Sequence, residues 1–162
     1  MTAIQTFFNA RHYRSRLEAR YAVLLHACGL TYQYEREGFD LPPRRYLPDF
    51  WLPTLGMWLE VKGWSPSTLE KDLCQCLADE TQRRVVMACG DPGLGTILGC
   101  FAPEVDGISV QMLPDFLMQW AAPAIVIEAI AMAQSARFEF GETPNVVPIA
   151  SRATGIKQLA RR

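Results

Sequence analysis

Three carboxylates and one amine stand out among the first 62 residues by their type and spacing. Glu60 and Lys62 lie two residues apart in an apolar run, so on a β-strand both side chains leave the same face. Asp49 directly follows Pro48, which cannot donate a ladder hydrogen bond and is typical of a strand edge. Glu18 has apolar residues three, four and seven positions further on, so on a helix its carboxylate projects from an apolar face.

Carboxylates that converge repel one another unless a cation lies among them. Oxygen ligands without His or Cys favour Mg²⁺, Mn²⁺ or Ca²⁺ over zinc, and Mg²⁺ commonly takes one or two carboxylates plus a substrate phosphate. Asp49 and Glu60 fit that arrangement. Lys62 beside such an ion can help to deprotonate or orient a water and can stabilise the charge on a pentavalent phosphate. The pattern therefore predicts metal-dependent phosphoryl chemistry.

The elements that must position these side chains follow from the apolar periodicity. Helical spacing and helix-start signals predict helices over Ser15–Cys28, Ser67–Glu80 and Ala121–Phe138. Strand-forming runs predict strands over Thr31–Glu35, Arg45–Leu52, Met57–Lys62, Arg84–Cys89 and Ile108–Met112. The second and third of these strands are separated by a turn signal and form a predicted hairpin, and the Gly/Pro-rich residues 90–107 read as a loop.

The predicted order is α-β-β-β-α-β with a C-terminal helix, which favours an α/β (α+β) fold with a mixed central β-sheet flanked by helices. A length of 162 residues predicts one domain over residues 1–150, followed by a basic, mobile tail over residues 151–162. No apolar run approaches the ~20 residues of a bilayer span, and no secretory signal is visible, so a cytoplasmic protein without a membrane partner is expected.

Composition removes several function classes. The chain has two histidines, no His-Glu-x-x-His and no Gly-x-Ser-x-Gly, which argues against zinc proteolysis and serine hydrolysis. Sixteen basic and 17 acidic residues give a net charge of −1, which argues against wholesale electrostatic binding of nucleic acid. The charge is uneven, with both ends basic and the middle acidic.

Three short motifs resemble those of one nuclease superfamily. They are Arg16-Leu17-Glu18, Tyr46-Leu47-Pro48-Asp49-Phe50 and Leu59-Glu60-Val61-Lys62-Gly63. Together with the order of the elements, they resemble the PD-(D/E)XK nucleases, which have the restriction-endonuclease-like fold, and especially small stand-alone members encoded by phages and mobile elements. The similarity extends over residues 14–89, about half of the chain.

The resemblance implies a Mg²⁺-dependent endonuclease that hydrolyses phosphodiester bonds in duplex or branched DNA, with Mn²⁺ as a substitute ion. It implies that Asp49, Glu60 and the Val61 carbonyl hold the metal and that Glu18 completes the site directly or through water. It gives Lys62 the task of assisting the attacking water. Glu18, Asp49, Glu60 and Lys62 are thus the expected catalytic residues. In a phage-encoded protein this chemistry would take place in the host cytoplasm.

Basic and aromatic residues offer further candidate contacts to nucleic acid. Arg14, Arg16, Arg20 and Lys71 are candidates for phosphate binding, although the arginines, with Arg11, also suit a solvated helix face. The tryptophans at positions 51, 58 and 64 are more typical of core and lid than of base-stacking platforms. One departure from the helicase-associated members of the superfamily is that Gln75 is followed four residues later by Asp79, where those members have Tyr, so Gln75 receives no catalytic role.

Two alternatives to an active nuclease stay open. The first is a nuclease-like fold that binds branched or ended nucleic acid, or another protein, without cutting. The second is a phage-encoded antagonist of host defence with a protein partner, which the acidic middle of the chain would favour. A homodimer is a further open alternative, because one site per chain cuts one strand at a time and the apolar excess of the last helix leaves room for an interface.

Overall fold

The computed structural model describes residues 6–149, which form ten β-strands, four α-helices and one 3-10 helix. The elements in chain order are β1 (Thr6–Phe8), β2 (Arg11–Tyr13), α1 (Arg16–Ala27), β3 (Gln33–Tyr34), β4 (Phe39–Leu41), β5 (Arg44–Tyr46), β6 (Phe50–Leu52), β7 (Met57–Lys62), α2 (Thr68–Thr81), β8 (Val85–Cys89), β9 (Ile97–Phe101), β10 (Ser109–Met112), α3 (Leu113–Leu117), α4 (Pro123–Ser135) and the 3-10 helix Glu139–Gly141. The predicted basic tail over residues 151–162 lies outside the described residues.

Six strands form one mixed sheet in the order β10-β9-β8-β7-β6-β3. β7 and β8 run parallel, while the other neighbouring strands of this sheet are antiparallel. A parallel pair needs a long crossover connection, and α2 supplies it and packs against β8. The fold is therefore mixed α/β with a mixed sheet flanked by a helix, and the predicted class is confirmed at this level.

The chain divides into two compact units. The first contains residues 6–30, 92–94 and 113–149 of the described chain, and the second contains residues 31–91 and 95–112. In the first unit α1 packs on α4 and on the β1–β2 hairpin. The second unit contains the six-stranded sheet, α2 and the β4–β5 hairpin. The domain predicted over residues 1–150 includes both units.

The bounds of α1 follow from local capping. The Ser15 side chain accepts a hydrogen bond from the Glu18 N–H and so satisfies one of the unpaired donors of the first turn. At the other end Gly29 has φ +74°, and the Leu30 N–H donates to the Leu25 carbonyl. This is a Schellman arrangement, which favours glycine because a side chain is strained at positive φ. The predicted helix is confirmed, with Gly29 at its C-terminal stop.

The strand predicted over Arg45–Leu52 is wrong as a single element. The structure has two strands here, since β5 pairs with β4 and β6 pairs with β3 and β7. The break falls at residues 47–49, which include Pro48, and proline removes a ladder donor. Two short hairpins, β1–β2 and β4–β5, were not predicted. The predicted Ala121–Phe138 helix is shorter at both ends and begins at Pro123, which suits a first helical position.

The loop expected over residues 90–107 contains strand β9. Gly99 lies in its interior, and a Cβ there would come within 3.3 Å of Ile108 Cγ2. Glycine is therefore needed here because the Ile108 side chain packs closely against the strand, and not because the chain turns. Among the described helices, none combines the length and the apolar character that crossing a bilayer would require.

Candidate active site

The register of the β6–β7 hairpin brings two carboxylates together. Phe50 pairs with Leu59, so one step further along the ladder Asp49 faces Glu60. The Asp49 N–H donates to Glu60 Oε2 at 3.3 Å, and the Val61 N–H donates to Asp49 Oδ2 at 2.8 Å. Each carboxylate is thus held by a backbone donor from the opposite arm of the hairpin.

Lys62 leaves the strand on the same side as Glu60, as its spacing predicts. Its Nζ lies 2.7 Å from Glu60 Oε1 and 3.4 Å from Glu70 Oε1. Burial is the largest single influence and lowers the pKa of the amine, but the charge and hydrogen bond of Glu60, together with the charges of Asp49 and Glu70, outweigh it. The pKa of Lys62 therefore lies above its ordinary value, and the side chain is an ammonium at neutral pH.

The two carboxylates are almost completely buried. Asp49 is 4% exposed and Glu60 is 3% exposed, whereas the Lys62 side chain is 22% exposed. Two carboxylates and one ammonium carry a formal excess of one negative charge, which is costly in a buried place unless a cation compensates it. The side-chain atoms of Asp49 and Glu60 that could ligate a cation are all oxygens, which suit a hard divalent ion such as Mg²⁺. The residues present therefore fit the predicted metal.

Tyr46 is a second partner of Glu60. Its hydroxyl hydrogen-bonds to Glu60 and lies 3.6 Å from the Cys74 sulfur. Burial and then the nearby Glu60 charge raise the pKa of Tyr46 far above its ordinary value, so the phenol stays protonated and can donate to the carboxylate. Burial, followed by the same charge, raises the pKa of Cys74 to about 12. Sequence reasoning missed Tyr46 although it belongs to the motif that contains Asp49.

The first turn of α2 fixes the other partner of Lys62. Glu70 Oε2 accepts hydrogen bonds from the Ser67 N–H at 2.8 Å and from the Ser67 hydroxyl at 2.9 Å, while the Glu70 N–H donates to Ser67 Oγ. This is the capping box that the sequence predicts. The Ser67 N–H is the main cause that lowers the pKa of Glu70, and Lys62 adds to it. Glu70 thus links the helix start to Lys62, a role that sequence reasoning did not assign.

Glu18 belongs to the first unit, whereas Asp49, Glu60 and Lys62 belong to the second. Its Oε1 accepts a hydrogen bond from the Ser15 hydroxyl at 2.9 Å, and its side chain is half-buried at the start of α1. Within residues 6–149 no group of three or more His, Cys, Asp or Glu side chains is arranged to hold a metal ion. Within the second unit the structure brings Asp49, Glu60 and Lys62 together, and the predicted part of Glu18 in the site stays a prediction.

The predicted basic contacts have different surroundings. Arg11 lies on β2 and Arg14 lies between β2 and α1, so assigning them to a solvated helix face was wrong; the helix begins only after Ser15. Arg16 is on α1, and its Nη1 lies 3.2 Å from Glu139 Oε1. Arg20 is also on α1 and is partly buried.

Lys71 is exposed in the first turn of α2, in the same unit as the carboxylate pair. Gln75, one turn further along that helix, donates from Nε2 to Asp79 Oδ1 at 3.0 Å and to the Ala102 carbonyl at 2.9 Å. Its amide thus joins α2 to the chain that follows β9.

Comparison with protein-family models and with curated proteins finds no match to this sequence.

Proposed function

We propose that the chain is a Mg²⁺-dependent endonuclease of the PD-(D/E)XK type, with the restriction-endonuclease-like core, acting on phosphodiester bonds of DNA. The observation that carries the proposal is the joint burial of Asp49 and Glu60 on facing arms of one hairpin, with the Lys62 amine 2.7 Å from Glu60. Burying a pair of acids with excess negative charge lowers the stability of a protein when the pair has only a structural role. At a metal site the bound cation compensates that charge.

The proposed roles follow from the atoms that each side chain presents. Asp49 and Glu60, with the Val61 carbonyl, would hold the ion. Bound Mg²⁺ supplies charge that polarises the phosphate and favours ionisation of the attacking water. Lys62 donates hydrogen bonds to that water or to a phosphate oxygen. The attacking water would lose a proton to solvent and bond through its oxygen to phosphorus, the bond from phosphorus to one sugar oxygen would break, and the leaving oxygen would take up a proton from solvent.

The test is cleavage of supercoiled plasmid and of a four-way junction in Mg²⁺. Wild type should nick the plasmid or resolve the junction, and Mn²⁺ should support the same reaction. Asp49→Asn and Lys62→Ala should lose activity by at least about a hundredfold, because each removes a group that acts on the transition state. Glu18→Gln tests the predicted contribution of the helix carboxylate.

The matched control is Asp40→Asn, the same change at an exposed acid on β4 in the same unit. It should cut at the wild-type rate. Calorimetric titration with Mn²⁺ supplies a second readout, in which Asp49→Asn, but not Asp40→Asn, should lose binding. Cleavage that persists in both Asp49→Asn and Lys62→Ala would mean that the active site lies elsewhere.

A second candidate function is a nuclease-like fold that binds DNA or a protein without cutting. The lack of a group of three or more metal-ligating side chains within the described part of the chain favours it. A protein that shifts a labelled four-way junction in a gel, yet neither cuts DNA nor binds Mn²⁺, would support this alternative over the nuclease.

A further inference from the structure

One large aromatic side chain close to the candidate active site is exposed to solvent. Trp64 is 82% exposed. The other two tryptophans of this unit have a different environment, since Trp58 is buried and its ring centroid lies 4.7 Å from that of Trp51. The prediction of core and lid positions thus holds, as a core position, for Trp58, whereas Trp64 does not lie in the core. An exposed indole leaves a large apolar surface in water, which stacking on a flat ligand would cover.

The Lys62 amine contacts acids on both sides of Trp64 in the sequence. Lys62 lies 2.7 Å from Glu60 and 3.4 Å from Glu70, and Glu70 in turn binds Ser67. Trp64 is two residues from Lys62, so their Cα atoms are at most about 7 Å apart. An exposed indole on this short segment can therefore reach a nucleotide next to the phosphate that Lys62 would contact.

We infer that Trp64 stacks on an unpaired nucleobase next to the cut, and that the enzyme prefers DNA with a flap, gap or single-stranded segment there. The inference rests on the proposed function and names its substrate class. Stacking on an indole needs a free π-face, which every base has in a single strand. Bases inside an intact duplex must first be unstacked, and that cost selects against them. Residues 63–67 carry no acidic side chain that would repel phosphate.

The test measures binding, so that it does not depend on cutting. Labelled DNA of one sequence is prepared as a single strand, as a blunt duplex and as a duplex with an unpaired flap, and fluorescence anisotropy is recorded in Ca²⁺. Trp64→Ala should weaken binding of the single strand and the flap about tenfold, while Trp64→Phe should stay within about threefold of wild type. Binding of the blunt duplex should change less than about twofold.

Val110→Ala is the matched control, since Val110 is 73% exposed at the far edge of the same sheet. It should bind all three DNAs as wild type does. Equal binding by Trp64→Ala and wild type would overturn the inference, and so would an equal loss on all three DNAs. Either result leaves the nuclease proposal intact if Asp49→Asn still abolishes plasmid cleavage. Cleavage that survives Asp49→Asn, together with a Trp64-dependent preference for single strands, would overturn only the assignment of the metal site.

Discussion

The hydroxyl of Tyr46 gives Glu60 a neutral, buried hydrogen-bond donor in addition to the charged donor on Lys62. In Tyr46→Phe the ring remains and only the hydroxyl is lost. Because a hydrogen bond to a charged group is worth about 1.5–3 kcal/mol, we expect turnover to fall at least about tenfold with little change in KM. Initial rates of oligonucleotide cleavage over a range of DNA concentrations measure both constants.

Cys74→Ala is the control for this prediction. It removes the sulfur that lies 3.6 Å from the Tyr46 hydroxyl and leaves the bond to Glu60 in place. The variant should keep turnover within about threefold of wild type while losing some stability, because it opens a small cavity. If both variants lost turnover equally, the packing of this region and not the bond to Glu60 would be responsible.

The two acids and the lysine could be predicted because they are close in sequence. One hairpin turn separates Asp49 from Glu60, and the alternation of a strand places Lys62 beside Glu60. Tyr46 could not be predicted in the same way. It pairs with Phe39 in a β4–β5 hairpin that the sequence does not signal, so its position depends on an unrecognised strand pair.

The start of α2 couples helix capping to the charge of Lys62, and this coupling has a pH signature. The pKa of Glu70 is lowered below its ordinary value of 4.5, first by the Ser67 N–H. The ionised Glu70 carboxylate therefore contributes its full stabilisation above about pH 4.5, and this stabilisation is lost as the pH falls through the lower pKa that Glu70 has in the folded protein. The difference in unfolding free energy between wild type and Glu70→Gln should shrink below about pH 4.5. Urea unfolding at a series of pH values measures it.

Glu80→Gln provides the comparison on the same helix, at an exposed position. The Glu70→Gln difference is measured relative to this variant, which also removes one carboxylate from the helix. A pH-independent difference for Glu70→Gln would show that its carboxylate gains nothing from Ser67 and Lys62.

Elements with a strong period were predicted well, whereas short ones were not. α1, α2, β7 and β8 follow apolar spacing and capping signals that are local in sequence. β9 was missed because Gly99 interrupts its pattern of strand-forming residues. Glycine is needed at this position because the side chain of Ile108, which lies outside the strand, packs closely against it. Strands of three residues, such as β4 and β5, are too short to show a period of two.

The charge of the protein bears on how it would hold DNA. A net charge of −1 gives no general attraction to phosphate, so binding must depend on a few local contacts. If the four predicted basic residues all contact phosphates, the logarithm of affinity should fall with the logarithm of salt concentration with a slope of about −3.6. Lys71→Ala should reduce this slope by about one. Anisotropy titrations on duplex DNA at several salt concentrations measure it.

Arg137→Ala is the comparison for the salt dependence. Arg137 is exposed, and its guanidinium nitrogens lie 3.8 Å from Glu139 Oε2 and 3.6 Å from Glu142 Oε2. Its removal should leave the slope unchanged. A slope that is the same for wild type and Lys71→Ala would remove Lys71 from the phosphate contacts.

The turn over residues 53–56 sets the length of the hairpin that carries Asp49 and Glu60. Losing a single codon there would force the two arms to slip by one position, and such a slip sends every side chain of an arm to the opposite side. The acids would then point away from each other although every one of them is still encoded. One in-frame deletion in a solvent-facing bend would thus abolish the proposed activity although the codons for Asp49, Glu60 and Lys62 are unchanged.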